Sequence, residues 1–550
     1  MSRKKHNALS ARLACVMVAS MVTMGIAAAG LPAAPAPRPK LVVGIFVKGL
    51  SRDYVELLRS NFGADGFNRL LDRGIAIENV DYGPGIDATA ATAILVSGAA
   101  PGVNGVQADR VWNAVTRTDI PALLDPAKAG AYTERDIDPS RLLVSTLSDE
   151  VRISDGGLGM VYSIAPDPQT AAILGAHAGN TAFFISGTDG KWRQPYHYRD
   201  TPTAIARRNA GMTLDLRLDT LAWEPALALT SYPDLPDYKK LYPFRHTFPR
   251  KGADRYKAFR TSAPGNREIA SAAIDLIDAG MGTRQVTDML QLGMDVSPYL
   301  YGRDADNRME TMDAYVRLDS DIANIIRAVE KGPGMNNTLI FVAGTPAPGG
   351  ARRDDEKWSI PSGRFSPRKA VSLMNVYLMA LHGNGEWVTG YYNGFFHLNH
   401  KLLKDRGISD AEMRRECADF LSRMAGVSEV FTIDDIRARR AGENAAALER
   451  NIYAPAAGDL LVTINPGWEI TDDDADDSLQ AAPDPDATVA QLPVVRWQAS
   501  TSPVYILAPA AEPATLSETV DARAIAPTVA RILRIRSPNA AKLPPLHTER

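Results

Sequence analysis

The sequence predicts an α/β fold in which a mostly parallel central sheet is sandwiched by helices and carries a smaller α+β cap insert. Short apolar runs rich in β-branched residues, at 41–47 and 338–343, are typical of buried parallel strands. They alternate with segments of helical periodicity at 51–73 and 308–331. This alternation of strands and helices indicates a sheet covered on both faces.

The other elements follow in chain order. Further strands are predicted at 75–80, 157–164, 285–292 and 426–431. Helices are predicted up to Ser97, over 140–151 with Ser140 as the N-cap, and over 267–280. The runs at 171–174 and 181–185 suggest a further pair of elements. A long irregular stretch at 193–265 is typical of an insertion that decorates a core, and 366–436 is predicted to form the cap insert.

The N-terminus has the pattern of a secretory signal peptide over residues 1–29, followed by a Pro/Ala-rich linker at 30–39. The alternative is an uncleaved anchor helix, because the apolar run is nearly long enough to span a bilayer. Cleavage removes four basic residues and no acid, so the formal net charge changes from −3 to −7. A mildly acidic exported protein is not a typical nucleic-acid binder. After cleavage Cys417 would be the one cysteine left, so an intrachain disulfide could not form.

The stretch 82–106 is the first candidate for a site. A Gly/Pro-bounded lead-in runs through Asp87 and Ala88 into a helix that is predicted to end at Gly98. Free backbone N–H groups and the helix dipole attract anions at such a loop-to-helix junction. The spacing therefore predicts a ligand site of the kind that receives phosphate.

Several segments, in order, resemble a known family. They are 41–47 (LVVGIFV), 96–101 (VSGAAP), 311–321 (TMDAYVRLDSD), 390–393 (GYYN), 398–403 (LNHKLL), 426–432 (GVSEVFT) and 458–468 (GDLLVTINPGW). The chain resembles the alkaline phosphatase superfamily, in particular the PafA-like bacterial alkaline phosphatases of the type I phosphodiesterase/nucleotide pyrophosphatase branch. The resemblance covers nearly all of the chain after residue 39 and implies an alkaline phosphatase-like α/β sandwich with a cap.

The resemblance also implies two zinc ions held by Asp and His ligands, with a Thr or Ser nucleophile. Matched residue by residue, the nucleophile falls on Ala88, four residues before Thr92, and the Asn that helps bind phosphate falls on Asp109. The metal-ligand positions fall on Lys48, Asp295, Tyr299, Gly344, Thr345 and Thr501. The Lys-x-Arg phosphate clamp falls on Pro168 and Thr170. Asp295 is thus the one retained metal ligand.

These replacements predict a pseudoenzyme with no catalytic residue and no metal cofactor. Lys48 places an ammonium where a dication would sit, and Asp109 places a carboxylate where phosphate would bind, so both oppose the family's chemistry. The predicted role is binding of an unidentified ligand or envelope protein, in the periplasm or after secretion. Two alternatives stay open: a zinc-dependent phosphomonoesterase or phosphodiesterase with a residual or relocated site, and a structural role in assembly.

Single features allow competing interpretations. Lys48 is expected to pair with Asp295, with their charged groups within about 4 Å; the alternative is a weak cation site on Asp87 and Asp295. A shifted hydroxyl nucleophile at Thr89, Thr92 or Ser97 would lack an activating base, so capping and packing are favoured. Structural roles are also favoured for His397 and His400. The acidic run 472–477 is expected to be a solvated loop. Arg352, Arg353, Arg364 and Arg368 allow two interpretations: an anion-binding patch or a solvated basic loop.

Overall fold

The computed structural model describes residues 38–211, 213–250, 254–302, 306–347, 363–442, 444–465, 468–470, 500–509 and 511–546. The predicted signal peptide, most of the linker, the acidic run 472–477, Arg352 and Arg353 lie outside these residues. No helix among the described residues is long and apolar enough to cross a membrane.

The described strands are β1 (Leu41–Lys48), β2 (Ile75–Asp81), β3 (Arg110–Asn113), β4 (Thr118–Pro121), β5 (Val161–Ala165), β6 (Thr181–Ile185), β7 (Trp192–Arg193), β8 (Ala222–Trp223), β9 (His246–Thr247), β10 (Asp288–Asp295), β11 (Thr338–Thr345), β12 (Gly363–Phe365), β13 (Val388–Tyr392), β14 (Phe395–Leu398), β15 (Val427–Thr432), β16 (Leu460–Ile464), β17 (Trp468–Ile470), β18 (Thr501–Leu507) and β19 (Ala514–Asp521).

The described α-helices are α1 (Arg52–Leu57), α2 (Phe67–Arg73), α3 (Ala88–Ser97), α4 (Pro101–Asn104), α5 (Leu147–Ser154), α6 (Pro168–Gly175), α7 (Thr203–Asn209), α8 (Leu214–Leu218), α9 (Asp237–Leu241), α10 (Arg255–Arg260), α11 (Ala263–Asp278), α12 (Arg308–Lys331), α13 (Pro367–His382), α14 (His400–Arg406), α15 (Asp410–Leu421), α16 (Ile433–Arg437), α17 (Ala445–Asn451) and α18 (Ile525–Leu533).

A nine-stranded sheet in the order β19-β2-β18-β11-β1-β10-β5-β6-β7 forms the centre of the fold. Strands β18 and β7 run antiparallel to their neighbours, and the other pairings are parallel. The predicted fold class, a mostly parallel sheet sandwiched by helices, is confirmed. Strand β1 lies between β11 and β10, so its carboxyl end is at the middle of the sheet edge, where ligands of α/β proteins bind.

The two faces of the sheet are buried in different apolar cores, and β1 contributes to both. Leu41, Val43, Ile45 and Val47 pack into one core, with helices α11 and α12. Val42 and Phe46 pack into the other, with helix α3 and the C-terminal helix α18. The two-residue period of a strand explains this division, and burial on both faces explains why the run is apolar at every position except Gly44.

A smaller layer consists of the four-stranded antiparallel sheet β13-β14-β16-β15 and the helices packed on it. We call residues 363–465 the cap. Its core is a separate cluster that includes Trp387, Phe396, Met413 and Cys417. The β3–β4 hairpin of the main layer contacts it, because Trp112 stacks on His397 with ring centroids 5.6 Å apart.

Two local predictions were wrong. The helix expected over 140–151 begins at Leu147, because Thr146 forms a capping box with Asp149, and Ser140 lies in a short 3-10 turn before it. The helical segment 51–73 is divided into α1, a 3-10 turn and α2, since Gly63 and Gly66 interrupt it. In contrast, the pair of elements suggested at 171–174 and 181–185 corresponds to helix α6 and strand β6, and α12 has the predicted bounds.

Candidate functional site

Three of the predicted site residues lie side by side at the carboxyl edge of the main sheet. Lys48 ends β1 and is in register with Asp295 at the end of β10 and with Thr345 at the end of β11. The backbone holds this edge together, because Gly49 N–H donates to the Thr345 carbonyl (2.8 Å) and Val296 N–H donates to the Lys48 carbonyl (2.9 Å). Parallel pairing therefore brings together residues that are far apart in the sequence.

Lys48 and Asp295 form an ion pair, as predicted. Lys48 Nζ lies 3.8 Å from Asp295 Oδ2; the Asp295 side chain is 4% exposed and that of Lys48 is 37% exposed. The other carboxylate oxygen accepts from the Ser297 N–H (2.8 Å) and from the Ser297 hydroxyl. Asn266 bonds both the N–H and the carbonyl of Asp295, so the carboxylate is held in place from several sides.

Helix α3 begins at the same edge, with Asp87 as its N-cap and Ala88 as its first residue. Asp87 Oδ1 accepts from the Ala90 N–H at 2.9 Å, which is a regular N-terminal cap. Ala88 presents a methyl group at the expected nucleophile position. The Thr92 hydroxyl donates to the Ala88 carbonyl (2.7 Å), a bond within the helix that favours the packing interpretation of this side chain.

Asp109 lies next to the start of α3. Its N–H donates to Asp87 Oδ2 (2.6 Å), and its own carboxylate accepts from the Thr89 hydroxyl (3.1 Å) and the Gln169 amide (2.6 Å). Burial raises the pKa of Asp87 to about 6, with repulsion from Asp109 as a further cause. The pKa of Asp109 is raised by the surrounding protein and by Asp167, although the residue keeps contact with solvent.

Lys48 lies in the field of all these acids. Its pKa is raised above the ordinary value chiefly by Asp295, against the opposing effect of burial, and then by Asp109, Asp167 and Asp87. We call Lys48, Asp87, Asp109, Asp167 and Asp295 the charged cluster. The four carboxylates outnumber the nearby cations, Lys48 and Arg110, so this edge of the sheet is predominantly acidic, which opposes the binding of a dianionic phosphate ester.

The other predicted positions are spread around this edge. Gly344 is buried, and its carbonyl accepts from the Tyr82 hydroxyl. Pro168 and Thr170 lie in the first turn of α6, where Thr170 N–H donates to the Asp167 cap (2.9 Å). Thr501 is exposed at the start of β18, opposite Asp81 rather than beside β1.

Tyr299 belongs to an aromatic cluster instead of a polar site. Its ring centroid lies 4.8 Å from that of His246, 5.1 Å from that of Trp223 and 5.9 Å from that of Tyr301. The side chain is buried, and burial raises its pKa. Tyr299, which the resemblance matches to the His of the Asp-x-x-x-His pattern, therefore makes an apolar contact with the inserted segment 193–265.

The cap contacts the loop that leads to α3. Asn451 donates to the carbonyls of Tyr82 (3.2 Å) and Pro84 (3.0 Å), in the loop that leads to α3. Burial raises the pKa of Tyr392, and Asp109, Asp119 and Asp87 of the main layer add to this shift. The β13–β14 turn is therefore close to the same acids.

The two cap histidines have structural contacts. His397 stacks on Trp112, and burial lowers its pKa to about 4. His400 begins helix α14, where it pairs with Asp410 (3.1 Å) and Asp459 (3.2 Å). Of the predicted basic patch, Arg364 and Arg368 are exposed.

The donors at this edge do not fit a pair of zinc ions. Zinc prefers imidazole, thiolate and carboxylate ligands in a closed set, and here one carboxylate is engaged by Ser297 and Lys48. Among the residues with described positions, no group of three or more His, Cys, Asp or Glu side chains could hold a metal ion.

Sequence reasoning missed four residues of this site: Asp167, Gln169, Ser297 and Tyr392. Asp167 was detectable, because it follows β5 at the carboxyl edge and precedes a proline in the first position of a helix. Tyr392 was not detectable, since its position depends on how the cap docks.

Comparisons with known proteins agree with this architecture. No protein-family model matches the chain. It is 24% identical over 421 residues to alkaline phosphatase PafA of Elizabethkingia meningoseptica, covering 73% of this chain and 76% of the relative. The chain is thus similar to alkaline phosphatases over most of its length.

Two further matches extend over almost the whole chain. The crystal structure of wild-type PafA superposes with a TM-score of 0.78 and 21% identity, covering 93% of this chain and 99% of PafA, which supports the alkaline phosphatase-like fold. A Myroides odoratus protein named as a calcium-transporting ATPase is 24% identical over 532 residues, or 91% of this chain and 93% of that protein.

Proposed function

We propose that this alkaline phosphatase-like chain is an exported, catalytically inactive protein that binds a ligand or partner protein at the carboxyl edge of its main sheet. The observation that carries the proposal is the Lys48–Asp295 ion pair beside Ala88. The ammonium takes the position of a metal ligand and binds the carboxylate that would otherwise hold a metal ion. Ala88, the first residue of helix α3, has no hydroxyl that could attack phosphorus.

Physical chemistry argues against a relocated reaction on these residues. A hydroxyl is a weak nucleophile unless a base or metal ion activates it. The hydroxyls of Thr89 and Thr92 donate to Asp109 and to a helix carbonyl, respectively. The Thr89–Asp109 pair is the nearest to a nucleophile with a base, but a carboxylate beside the reacting phosphate would repel it.

The first experiment measures zinc content and hydrolysis together. The purified protein is assayed by metal mass spectrometry and with p-nitrophenyl phosphate and bis-p-nitrophenyl phosphate, before and after chelation. We expect substoichiometric zinc and no turnover above buffer. Stoichiometric zinc with turnover that is lost on chelation would refute the proposal and would support the alternative, a zinc-dependent phosphomonoesterase or phosphodiesterase.

A back-substitution makes the test sharper. Ala88→Thr restores the hydroxyl at the first position of α3, and Ala93→Thr, at a buried position of the same helix away from its start, is a control for the cost of the extra atoms. We expect both variants to stay inactive, because a nucleophile without an activating cation gains nothing. Turnover in Ala88→Thr alone would show that the rest of the site is still competent.

Export rests on the signal-like residues 1–29 and is part of the proposal. Its test is N-terminal sequencing of the protein recovered from periplasmic, membrane and medium fractions. A mature chain that begins near residue 30 supports cleavage, whereas a membrane-bound chain that begins at residue 1 supports the anchor.

A further inference from the structure

We propose that the Lys48 ammonium is a built-in counter-ion that takes the place of a bound metal ion and stabilises the carboxylates of the charged cluster in the ligand-free protein. The inference rests on the proposed function, because a cleft that loads zinc has no place for the ammonium. In addition, it gives Lys48 a structural role, whereas the proposed function treats this residue only as the replacement of a metal ligand.

Lys48 lies at the middle of the carboxyl edge of the main sheet. Lys48 is the last residue of the central strand β1, and its backbone is bonded on both sides, to β11 through Gly49 and to β10 through Val296. The side chain therefore leaves the middle of the sheet edge, between the strand ends and the loops that carry the other acids. A charge at this point acts on all of them at once.

The carboxylates of Asp87, Asp109 and Asp167 are held by hydrogen bonds from uncharged groups. Asp87 accepts from two backbone N–H groups, Asp109 from a hydroxyl and a carboxamide, and Asp167 from the backbone N–H of Thr170. These donors are neutral, so they orient the carboxylates without cancelling their charge. Asp109 helps to raise the pKa of Asp87, and Asp167 helps to raise that of Asp109, so these carboxylates repel each other, and a cation near them reduces that repulsion.

The Lys48–Asp295 ion pair has the geometry expected of a counter-ion. The 3.8 Å between Lys48 Nζ and Asp295 Oδ2 is an electrostatic contact that is too long for a hydrogen bond. An ammonium is a compact point charge on a flexible stem, and it does not need the fixed ligand geometry that zinc requires. The raised pKa of Lys48, to which all four carboxylates contribute, agrees with this role.

The test compares variants at position 48 with a surface control. Lys48→Met keeps the length of the side chain and removes the charge, and Lys48→Asp adds a fifth carboxylate where the family carries a metal-binding acid. Lys128→Met is the control, because Lys128 pairs with Asp136 at 3.0 Å but lies in solvent. Tm is measured in EDTA and with added CaCl2 or ZnCl2.

We expect Lys48→Met to melt a few degrees below wild type and Lys128→Met to melt with wild type. Lys48→Asp should melt lowest in EDTA and recover part of the loss when a divalent cation is added, because oxygen ligands now surround the space that the ammonium filled. The wild-type Tm should not change with added metal. If Lys48→Asp does not fold, Lys48→Met against Lys128→Met still tests the inference.

Two results would overturn the inference: a Lys48→Met protein as stable as wild type, or a wild-type protein that gains as much Tm from added cations as Lys48→Asp does. They are distinguishable from failure of the proposed function. A zinc-loaded, hydrolytic wild type overturns both, whereas a metal-free, inactive wild type with a stable Lys48→Met overturns this inference alone.

Discussion

Asp313 of helix α12 is the residue whose substitution tests most directly how the inserted segment is held. Its side chain is fully buried and accepts four hydrogen bonds. Oδ2 accepts from Trp223 Nε1 and Arg317 Nε, both at 2.6 Å. Oδ1 accepts from the Ala226 N–H at 2.6 Å and the Tyr232 hydroxyl at 2.7 Å.

Asp313→Asn keeps the shape of the side chain and replaces one acceptor oxygen by an NH2 group. In either orientation of the amide, that group faces two donors, so two bonds to a charged acceptor are lost. At about 1.5–3 kcal/mol for each, the free energy of unfolding should fall by about 3–6 kcal/mol. With an unfolding entropy of roughly 1 kcal/mol per kelvin for a unit of this size, Tm should fall by about 3–6 °C.

The assay is urea and thermal unfolding, followed by Trp fluorescence and by far-UV circular dichroism. Arg317→Met is the matched control: it removes one of the four donors, and because Arg317 is 32% exposed, we expect a loss of about 1 kcal/mol or less. If Asp313→Asn unfolds within about 0.5 kcal/mol of wild type, the four donors do not depend on a charged acceptor, and the reasoning is refuted.

The consequence reaches the functional site through Trp223. This indole packs on Tyr299, with ring centroids 5.1 Å apart, and Tyr299 is one of the residues that the family resemblance matches to a metal-ligand position. Loosening Trp223 should therefore increase the mobility of the chain after β10. Hydrogen exchange of residues 296–302 should be faster in Asp313→Asn than in Arg317→Met.

Two further predictions concern pH and the contact between the layers. His177 Nδ1 lies 3.0 Å from Asp149 and Nε2 lies 2.8 Å from the Leu142 carbonyl, so the doubly protonated ring satisfies both acceptors, and its pKa is raised, chiefly by the bond to Asp149. This stabilisation should be complete below about pH 6.5 and be lost as the pH rises through the raised pKa of His177. The difference in Tm between wild type and His177→Gln should therefore shrink as the pH rises. A difference in Tm that does not change with pH would contradict this prediction. In Gly390→Ala the new Cβ would clash with the Trp112 ring, so the free energy of unfolding should fall by about 1–3 kcal/mol. When Trp112→Ala is also present, the Gly390→Ala substitution should cost much less. Additive losses in this double-mutant cycle would show that the contact with Trp112 is not the cause.

The elements that the sequence predicted correctly have strong local signals. Strand β1 is apolar at almost every position because both of its faces are buried, and α12 has a long amphipathic period. The wrong predictions concern where one helix begins and where another helical segment is interrupted. Ser140 and Thr146 are both acceptable N-caps, and the capping box with Asp149 decided between them. Two glycines, with no side chain to favour the helix, divided 51–73.

For the site, the sequence alone determined which chemical groups are present: a lysine at the end of the first strand, an alanine at the start of α3, and an aspartate, Asp295, at a position that the family resemblance predicts to be a metal ligand. The tertiary structure decided which of these groups meet. Strand register placed Lys48 beside Asp295, and the turns after β5 and α4 brought Asp167 and Asp109 into the charged cluster. Contacts between residues so far apart depend on strand order and on how the cap docks, and no local pattern encodes either one.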